Sequence, residues 1–247
     1  MNALPFQVIY AANPFIDAYV NSDVLGKLIF IALVLLSVVT WIIVVHKGWI
    51  TYQAKTTSSQ FKKKVTLGVS NILNIDAEAP PSSYPNPFLT LYRVLKEKTI
   101  EILEKNKHFG ATGEEAPFLS PSDINIVESH LSTAVAQETK HLEKYLYLLA
   151  TVVSLGPFLG LLGTVWGILT TFSHLQAETS ASTNQMVLGG LSLALATTVL
   201  GLIDAIPALI GYNYLKNSIR DFSVEMECFS SDILAQVEMQ YRKVDID

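Results

Sequence analysis

Three long stretches without charged side chains dominate the pattern of hydrophobic and polar residues. They cover residues 28–45, 145–172 and 186–214, and the last contains a single carboxylate, Asp204. A helix needs about 20 mostly apolar residues to cross the hydrocarbon core of a bilayer, where unpaired backbone groups are costly. The pattern therefore predicts three transmembrane helices. An ionisable residue inside a span marks by default an ion path or a buried polar contact, which makes Asp204 the first candidate functional residue.

The distribution of lysines predicts how the chain is oriented. Lysines cluster directly after the first span, whereas two aspartates and one boundary lysine, Lys27, precede it. Because lysine and arginine are enriched in cytoplasmic flanks, we expect the amino terminus to be external. The resulting segments are an external segment 1–23, a first span 24–45, a cytoplasmic helical region 46–144, a second span 145–172, an external loop 173–185, a third span 186–214 and a cytoplasmic tail helix 215–247.

The polar parts of the chain have a helical pattern interrupted by turn signals. Prolines between residues 79 and 87 predict a linker, and an apolar stripe through Leu91 and Leu95 predicts a helix after it. Ser120, Pro121 and Asp123 form a capping-box pattern, and no helix breaker follows until Gly156. We therefore expect an all-α membrane protein, in which one long helix from Pro121 enters the second span and the third span continues into the tail helix. Together these extensions would form a cytoplasmic helical collar.

The second and third spans are rich in small residues, unlike the first, which is rich in bulky Leu, Ile and Val. Small residues allow helices to approach closely, and packing alone is one interpretation of this pattern. At about 100° per residue, one face of the third span also carries a hydroxyl and the carboxylate, which favours a function beyond packing. The predicted close-packing residues are Gly156, Gly160, Gly163, Gly167 and Gly201, and the shared face holds Gly190, Leu193, Thr197, Gly201, Asp204, Ala208 and Gly211.

Enzymatic chemistry has little support in this sequence. Neither a phosphate-binding loop with the pattern GxxxxGK nor a zinc-binding HExxH pair is present, and the five histidines are scattered. The single cysteine, Cys228, cannot form a disulfide within the chain. We expect a protein that is not an enzyme, with no cofactor, no metal site and no nucleic-acid partner.

The motifs of the second and third spans resemble the TolQ/ExbB/MotA proton-channel family. Residues 156–168 read GPFLGLLGTVWGI, and residues 196–213 read ATTVLGLIDAIPALIGYN. Three spans with a large first cytoplasmic loop resemble the TolQ and ExbB branch, since MotA-like subunits normally have four spans. The residues around Thr40-Trp41 are similar to the first span of that branch as well.

This resemblance implies an inner-membrane motor subunit of a diderm bacterium. A homopentamer would surround the single spans of a dimeric TolR- or ExbD-like partner, and proton passage would drive rotation. By motif position, Thr164 and Thr198 would line the ion path, and the full set of predicted path residues is Asp204, Thr164, Thr197 and Thr198. Pro157 and Pro207 match membrane prolines of the family, with a part in gating or helix shaping alone as the two interpretations.

The sequence departs from the family at one position. A glutamate is usual in the third span of TolQ and ExbB where this chain has Leu193, and Asp204 follows eleven residues later. That spacing returns Asp204 to within about 20° of Leu193 on the helix and roughly 16 Å further toward the cytoplasm. Our hypothesis is that Asp204 supplies the carboxylate of the proton path, and the alternative is a structural polar contact.

Two classes of function therefore remain open. The first is a motor subunit that energises outer-membrane maintenance with a TolR-like partner or import with an ExbD-like partner. The second is a membrane scaffold or transport accessory with the same fold and no ion conduction. A proton is the coupling ion that the resemblance implies, with sodium as the alternative.

Overall fold

The computed structural model describes residues 14–20, 22–67, 72–75, 85–109, 118–177 and 182–242. These residues are helical almost throughout, which confirms the all-α prediction for this part of the chain; the one extended pairing there is an isolated bridge between Leu119 and Arg242. The helices are α1 (Pro14–Val20), α2 (Val24–Leu67), α3 (Pro87–Phe109), α4 (Pro121–Glu143), α5 (Leu146–Ala177) and α6 (Ser182–Tyr241), and a 3-10 turn covers Ile72–Asn74. Most of the amino-terminal segment 1–23, most of the proline-rich linker, and most of the loop between α3 and α4 lie outside the described residues.

Three of the described helices are long and apolar enough to cross a membrane, as predicted. They are α2, α5 and α6, whose most apolar stretches have mean hydropathies of 3.1, 1.9 and 2.1. The buried share of these stretches rises from 17% in α2 to 44% in α6, so α6 is the helix most enclosed by the rest of the chain. On α2, bulky side chains such as Leu28 and Leu35 remain exposed, as expected for a surface that faces lipid.

The chain divides into two compact units. The membrane unit comprises residues 1–45 and 145–213, and the peripheral unit comprises residues 46–144 and 214–247. Helices α2 and α6 contribute residues to both units.

An aromatic cluster forms the core of the peripheral unit. Phe88 at the start of α3 stacks on Phe229 of α6 with ring centroids 4.3 Å apart, and it also stacks on Phe222 of α6 at 5.8 Å. Tyr92 is fully buried, and its hydroxyl donates to the carbonyl of Ile72 at 2.7 Å, so the polar end of the ring has a partner. The predicted amphipathic helix after the prolines is thus confirmed as α3.

The predicted capping box at the start of α4 is confirmed. The Ser120 hydroxyl accepts a hydrogen bond from the Asp123 backbone N–H at 3.2 Å, and the Asp123 carboxylate accepts from the Ser120 N–H at 3.0 Å. Asn106 of α3 also donates to this carboxylate at 3.0 Å. Partial burial acts to raise the pKa of Asp123, but the hydrogen bonds from Ser120 and Asn106 outweigh it and leave that pKa below its ordinary value.

The expectation of one long helix from Pro121 into the second span is wrong. Helix α4 ends at Glu143, α5 begins at Leu146, and Tyr145 between them has a φ of 73°, which an α-helix cannot contain. The buried Lys47 ammonium group donates to the Leu142 carbonyl at 3.1 Å and so satisfies one carbonyl at the end of α4. Helix α6, in contrast, runs without a break from the third span into the tail.

Candidate functional site

Helices α5 and α6 pack at backbone distance through their glycines. A Cβ atom added to Gly201 of α6 would lie 2.5 Å from the Gly156 carbonyl oxygen of α5, and one added to Gly160 would lie 3.0 Å from the Thr197 carbonyl oxygen. Further along, a Cβ on Gly167 would lie 2.6 Å from the Gly190 carbonyl oxygen. The partners run in opposite directions along the two helices, so α5 and α6 form an antiparallel pair in which a side chain at these positions would force the backbones apart.

Two threonine hydroxyls meet inside this pair. Thr164 of α5 and Thr198 of α6 are hydrogen-bonded to each other through their side chains, and both side chains are half-buried. Each hydroxyl also lies within 3.0–3.3 Å of the carbonyl oxygens of Gly160 and Ala194. The absence of a Cβ on Gly160 allows this approach. The pair is thus a small polar cluster built from both helices, at the two positions that the motifs single out.

The neighbouring Thr197 does not join the threonine pair. Its side chain is fully buried, and its hydroxyl donates to the carbonyls of Leu193 and Ala194 in its own helix, at 2.9 and 3.1 Å. It packs against Gly163, where a Cβ would overlap the threonine side chain. The geometry therefore gives Thr197 a role in helix packing, because its hydroxyl is already occupied by its own backbone.

Asp204 lies in a different contact, between α6 and the first span. Its side chain is only 3% exposed, and the Ser37 hydroxyl of α2 hydrogen-bonds to the carboxylate. The other carboxylate oxygen, Oδ2, has no hydrogen-bond partner among the described residues. The structure thus places Asp204 against α2, apart from the threonine pair that joins α5 to α6.

Helices α2 and α6 contact each other with the same offset in residue number at both ends of the membrane unit. A Cβ on Gly26 would lie 2.6 Å from Leu193 Cδ2, and a Cβ on Gly211 would lie 2.7 Å from Val44 Cγ2. From Leu193 to Asp204 is eleven residues on α6, and from Gly26 to Ser37 is eleven residues on α2. The two helices therefore run parallel, and Leu193 and Asp204 face the same seam three turns apart. We refer to this contact as the α2–α6 seam.

Both membrane prolines lie within helices that continue through them. Pro157 is in α5 next to Gly156, and Pro207 is in α6 three residues after Asp204. Proline has no N–H, so the carbonyl four residues earlier loses its helical partner. For Pro207 that carbonyl belongs to Ile203, directly before Asp204.

The structure adds two polar residues that the sequence reasoning missed. The Trp166 indole N–H of α5 donates to Asp23 Oδ2 at 2.8 Å, and Asp23 Oδ1 accepts from the Gly26 N–H at 3.0 Å as an N-cap of α2. Ser37, which bonds to Asp204, is the second. Asp23 had a recognisable signal, a carboxylate just before an apolar helix. For Ser37, the corresponding signal was a hydroxyl side chain within a run of Leu and Val.

The chemistry available at this site is that of one carboxylate and several hydroxyls. Among the described residues, no group of three histidine, cysteine or acidic side chains is placed to hold a metal ion. A carboxylate can bind and release a proton, whereas a threonine hydroxyl can only relay a hydrogen bond at ordinary pH.

Comparison with known proteins places this arrangement in a family. Residues 103–228 match the model of the MotA/TolQ/ExbB proton channel family. The chain is 30% identical over 223 residues to the biopolymer transport protein ExbB of Pseudomonas putida, covering 89% of this chain and 62% of that protein. It is 28% identical over 220 residues to the Tol-Pal system protein TolQ of Haemophilus influenzae, covering 86% and 88%. It is also 30% identical over 194 residues to the TolQ of Pseudomonas aeruginosa, covering 78% and 79%.

The matched region contains α5 and most of α6, and so includes the glycine contacts, the threonine pair and Asp204. This chain is a membrane protein that belongs to the MotA/TolQ/ExbB proton channel family.

Proposed function

We propose that this chain is the large subunit of a proton-driven membrane motor of the TolQ and ExbB type. The observation that carries the proposal is the contact between the Thr164 and Thr198 hydroxyls, in a pair of apolar helices that belongs to the region matched by the proton channel family. A polar cluster of this kind lowers the cost of moving a charge through a span. The work performed would be the maintenance of the outer membrane or import across it.

The proposed ion path has two parts. Thr164 and Thr198 line it between α5 and α6, and Asp204 provides a carboxylate that can take up and release a proton. Thr197 is left out of the path because both hydrogen bonds of its hydroxyl are to its own helix, whereas Thr164 and Thr198 also bond to the opposite helix. Pro157 and Pro207 shape the two helices next to these groups, and we assign them a part in gating.

The proposed assembly is a homopentamer in the inner membrane, surrounding a TolR- or ExbD-like partner with a single span. The bulky exposed side chains of α2, α5 and α6 support this, because they offer apolar surface to lipid and to neighbouring subunits. The amino terminus would be periplasmic, and the carboxyl terminus and peripheral unit would be cytoplasmic, as the lysine distribution indicates.

One observation favours a second candidate function, a scaffold that does not conduct ions. The position where the family usually has a glutamate holds Leu193, which is buried against Gly26. If Asp204 serves only as a polar contact to Ser37, no carboxylate in the α2–α6 seam is left for a relay.

Proton flux distinguishes the two candidates. The full chain is reconstituted in vesicles with its candidate single-span partner, and flux under an imposed pH gradient is compared between the wild type and Asp204→Asn. We expect the wild type to conduct and Asp204→Asn to fall to the background of empty vesicles, because asparagine keeps the shape of the side chain and cannot take up a proton at ordinary pH.

The matched control is Asp204→Glu, which keeps the carboxylate and is expected to retain part of the flux. Assembly of all variants is checked by size-exclusion chromatography. Flux that is unchanged in Asp204→Asn would remove Asp204 from the path, and no flux in a correctly assembled wild type would favour the scaffold.

A further inference from the structure

The α2–α6 seam contains a polar contact that the ion path described above does not explain. Ser37 hydrogen-bonds to the carboxylate of Asp204, and the buried oxygen Oδ2 of this carboxylate has no partner in the described part of the chain. A buried polar atom without a partner is uncommon in folded proteins and requires an explanation. In this case the atom belongs to a group that becomes charged when it loses a proton.

Ser37 is the hydroxyl of α2 that is directed to another helix at this level. Thr40 is three residues further along α2 and only 1% exposed, but its hydroxyl donates to the Leu36 carbonyl of its own helix at 2.9 Å. The two residues are therefore a matched pair of α2 hydroxyls, of which Ser37 contacts Asp204 and Thr40 is satisfied locally.

In the described part of the membrane unit, no fixed positive charge lies on the packed helices at the level of Asp204. Between Lys27 and His46, α2 has no charged side chain, α5 has none before His174, and α6 has none besides Asp204 before Lys216. The nearest titratable side chains on the packed helices are Tyr147 of α5 and Tyr212 of α6, each more than one helical turn from the level of Asp204. A carboxylate in such surroundings needs a mobile cation, since a lone buried charge is very costly.

We propose that Asp204 and Ser37 form a proton-binding station inside the α2–α6 seam of each subunit, with Asp204 as the group that binds the proton and Ser37 as its positioning residue. The proton adds to the unpartnered oxygen Oδ2, while the Ser37 hydroxyl stays bonded to the carboxyl group. This inference rests on the proposed ion-conducting function, and it assigns the first span a direct part in it.

Labelling of Asp204 with a membrane-soluble carbodiimide tests the proposal, because the reagent modifies protonated carboxyl groups. The full chain is labelled in vesicles with its partner over a range of pH, and the modified peptide is quantified by mass spectrometry. We expect Asp204 to be labelled and the labelling to decline as the pH rises. Ser37→Ala removes a hydrogen bond that favours the charged form, so we expect the pH of half-labelling to rise by about one unit.

Two further variants separate positioning from packing. Ser37→Thr keeps the hydroxyl and should return the pH of half-labelling toward the wild-type value, and Thr40→Ala, which removes the locally bonded hydroxyl, should leave it unchanged. An equal shift in Ser37→Ala and Thr40→Ala would overturn the proposal, as would no shift in Ser37→Ala or no labelling of Asp204 at any pH. Protection of Asp204 by sodium at constant pH would also overturn it, in favour of a sodium site.

Labelling does not depend on flux, so the two proposals can fail separately. Flux without any dependence of labelling on Ser37 would leave the motor intact and contradict the station. Labelling that responds to Ser37 in vesicles without flux would contradict the motor and support a proton-binding group that is not used for conduction.

Discussion

A threonine hydroxyl has one hydrogen and two lone pairs, and this determines what the Thr164 and Thr198 pair can do. Together the two hydroxyls have two hydrogens to donate. The acceptors within reach are the other hydroxyl and the carbonyls of Gly160 and Ala194. Each can donate to only one acceptor at a time, so the donor and acceptor roles can be exchanged by rotation about the side chain. The pair can therefore offer an oxygen or a hydrogen to a passing ion without becoming charged.

We expect Thr198→Val to lower proton flux about fivefold, since valine has nearly the same shape and loses one hydrogen bond worth about 1 kcal/mol. Folding should change little, because Thr164 keeps its carbonyl acceptors. Flux in reconstituted vesicles is the measurement, with Thr198→Ser as a control that keeps the hydroxyl. Equal flux in the valine and serine variants would show that the hydroxyl is not needed.

At the level of helices, the sequence allowed good predictions wherever the signal was local. The capping box located the start of α4, and apolar stretches located α2, α5 and α6. The break at Tyr145 could not be predicted, because neither glycine nor proline marks it. The end of α4 beside this break has a partner far away in the sequence, since Lys47 donates to the Leu142 carbonyl in the folded chain.

The close contact of α5 and α6 leads to a prediction on stability. Gly201→Ala would place a Cβ 2.5 Å from the Gly156 carbonyl oxygen, which is backbone and cannot rotate away. We expect a loss of about 1–3 kcal/mol, the usual cost of overpacking, and a lower thermal unfolding temperature in detergent.

Gly48 of α2 provides the matched control for this substitution. A Cβ there would meet nothing within 4 Å, so Gly48→Ala should raise the unfolding temperature slightly through its higher helix propensity. A Gly201→Ala variant as stable as Gly48→Ala would contradict the close packing of α5 and α6.

The capping box of α4 predicts a dependence of stability on pH. Because the pKa of Asp123 is lowered in the folded state, its contribution is present above its ordinary value of 3.8 and is lost as the pH falls through the folded pKa. We expect the helical signal in circular dichroism to melt at a lower temperature below about pH 4 than at pH 6.

Asp123→Ala should reduce this difference between the two pH values, because the titrating capping group is gone. Glu128→Gln removes a carboxylate from the same helix outside the capping box and should leave the difference unchanged. If both variants behave alike, the acid sensitivity arises elsewhere in the chain.

At the scale of the whole molecule, the sequence pattern does not predict which helix faces contact each other. Periodicity correctly placed Leu193, Thr197 and Asp204 on one face of α6, and all three are buried. It could not tell that Asp204 contacts Ser37 of α2, nor that Trp166 bonds to Asp23, because these contacts depend on the rotation and register of separate helices. Contacts between helices follow from side chains distant in the sequence, which a local pattern does not contain.

The common register of the α2–α6 seam predicts that its carboxylate can be moved. Leu193 and Asp204 face the same seam three turns apart, so a glutamate at position 193 would return a carboxylate to that seam. We expect Asp204→Ala to abolish proton flux and the double variant Leu193→Glu/Asp204→Ala to recover a measurable part of it.

The control is Leu195→Glu/Asp204→Ala, because Leu195 is at nearly the same depth but 69% exposed and directed away from the seam. Recovery in the control alone would mean that the required carboxylate lies on the exposed face of α6. If neither double variant recovers flux despite correct assembly, the function requires a carboxylate at the depth of Asp204, bonded to Ser37.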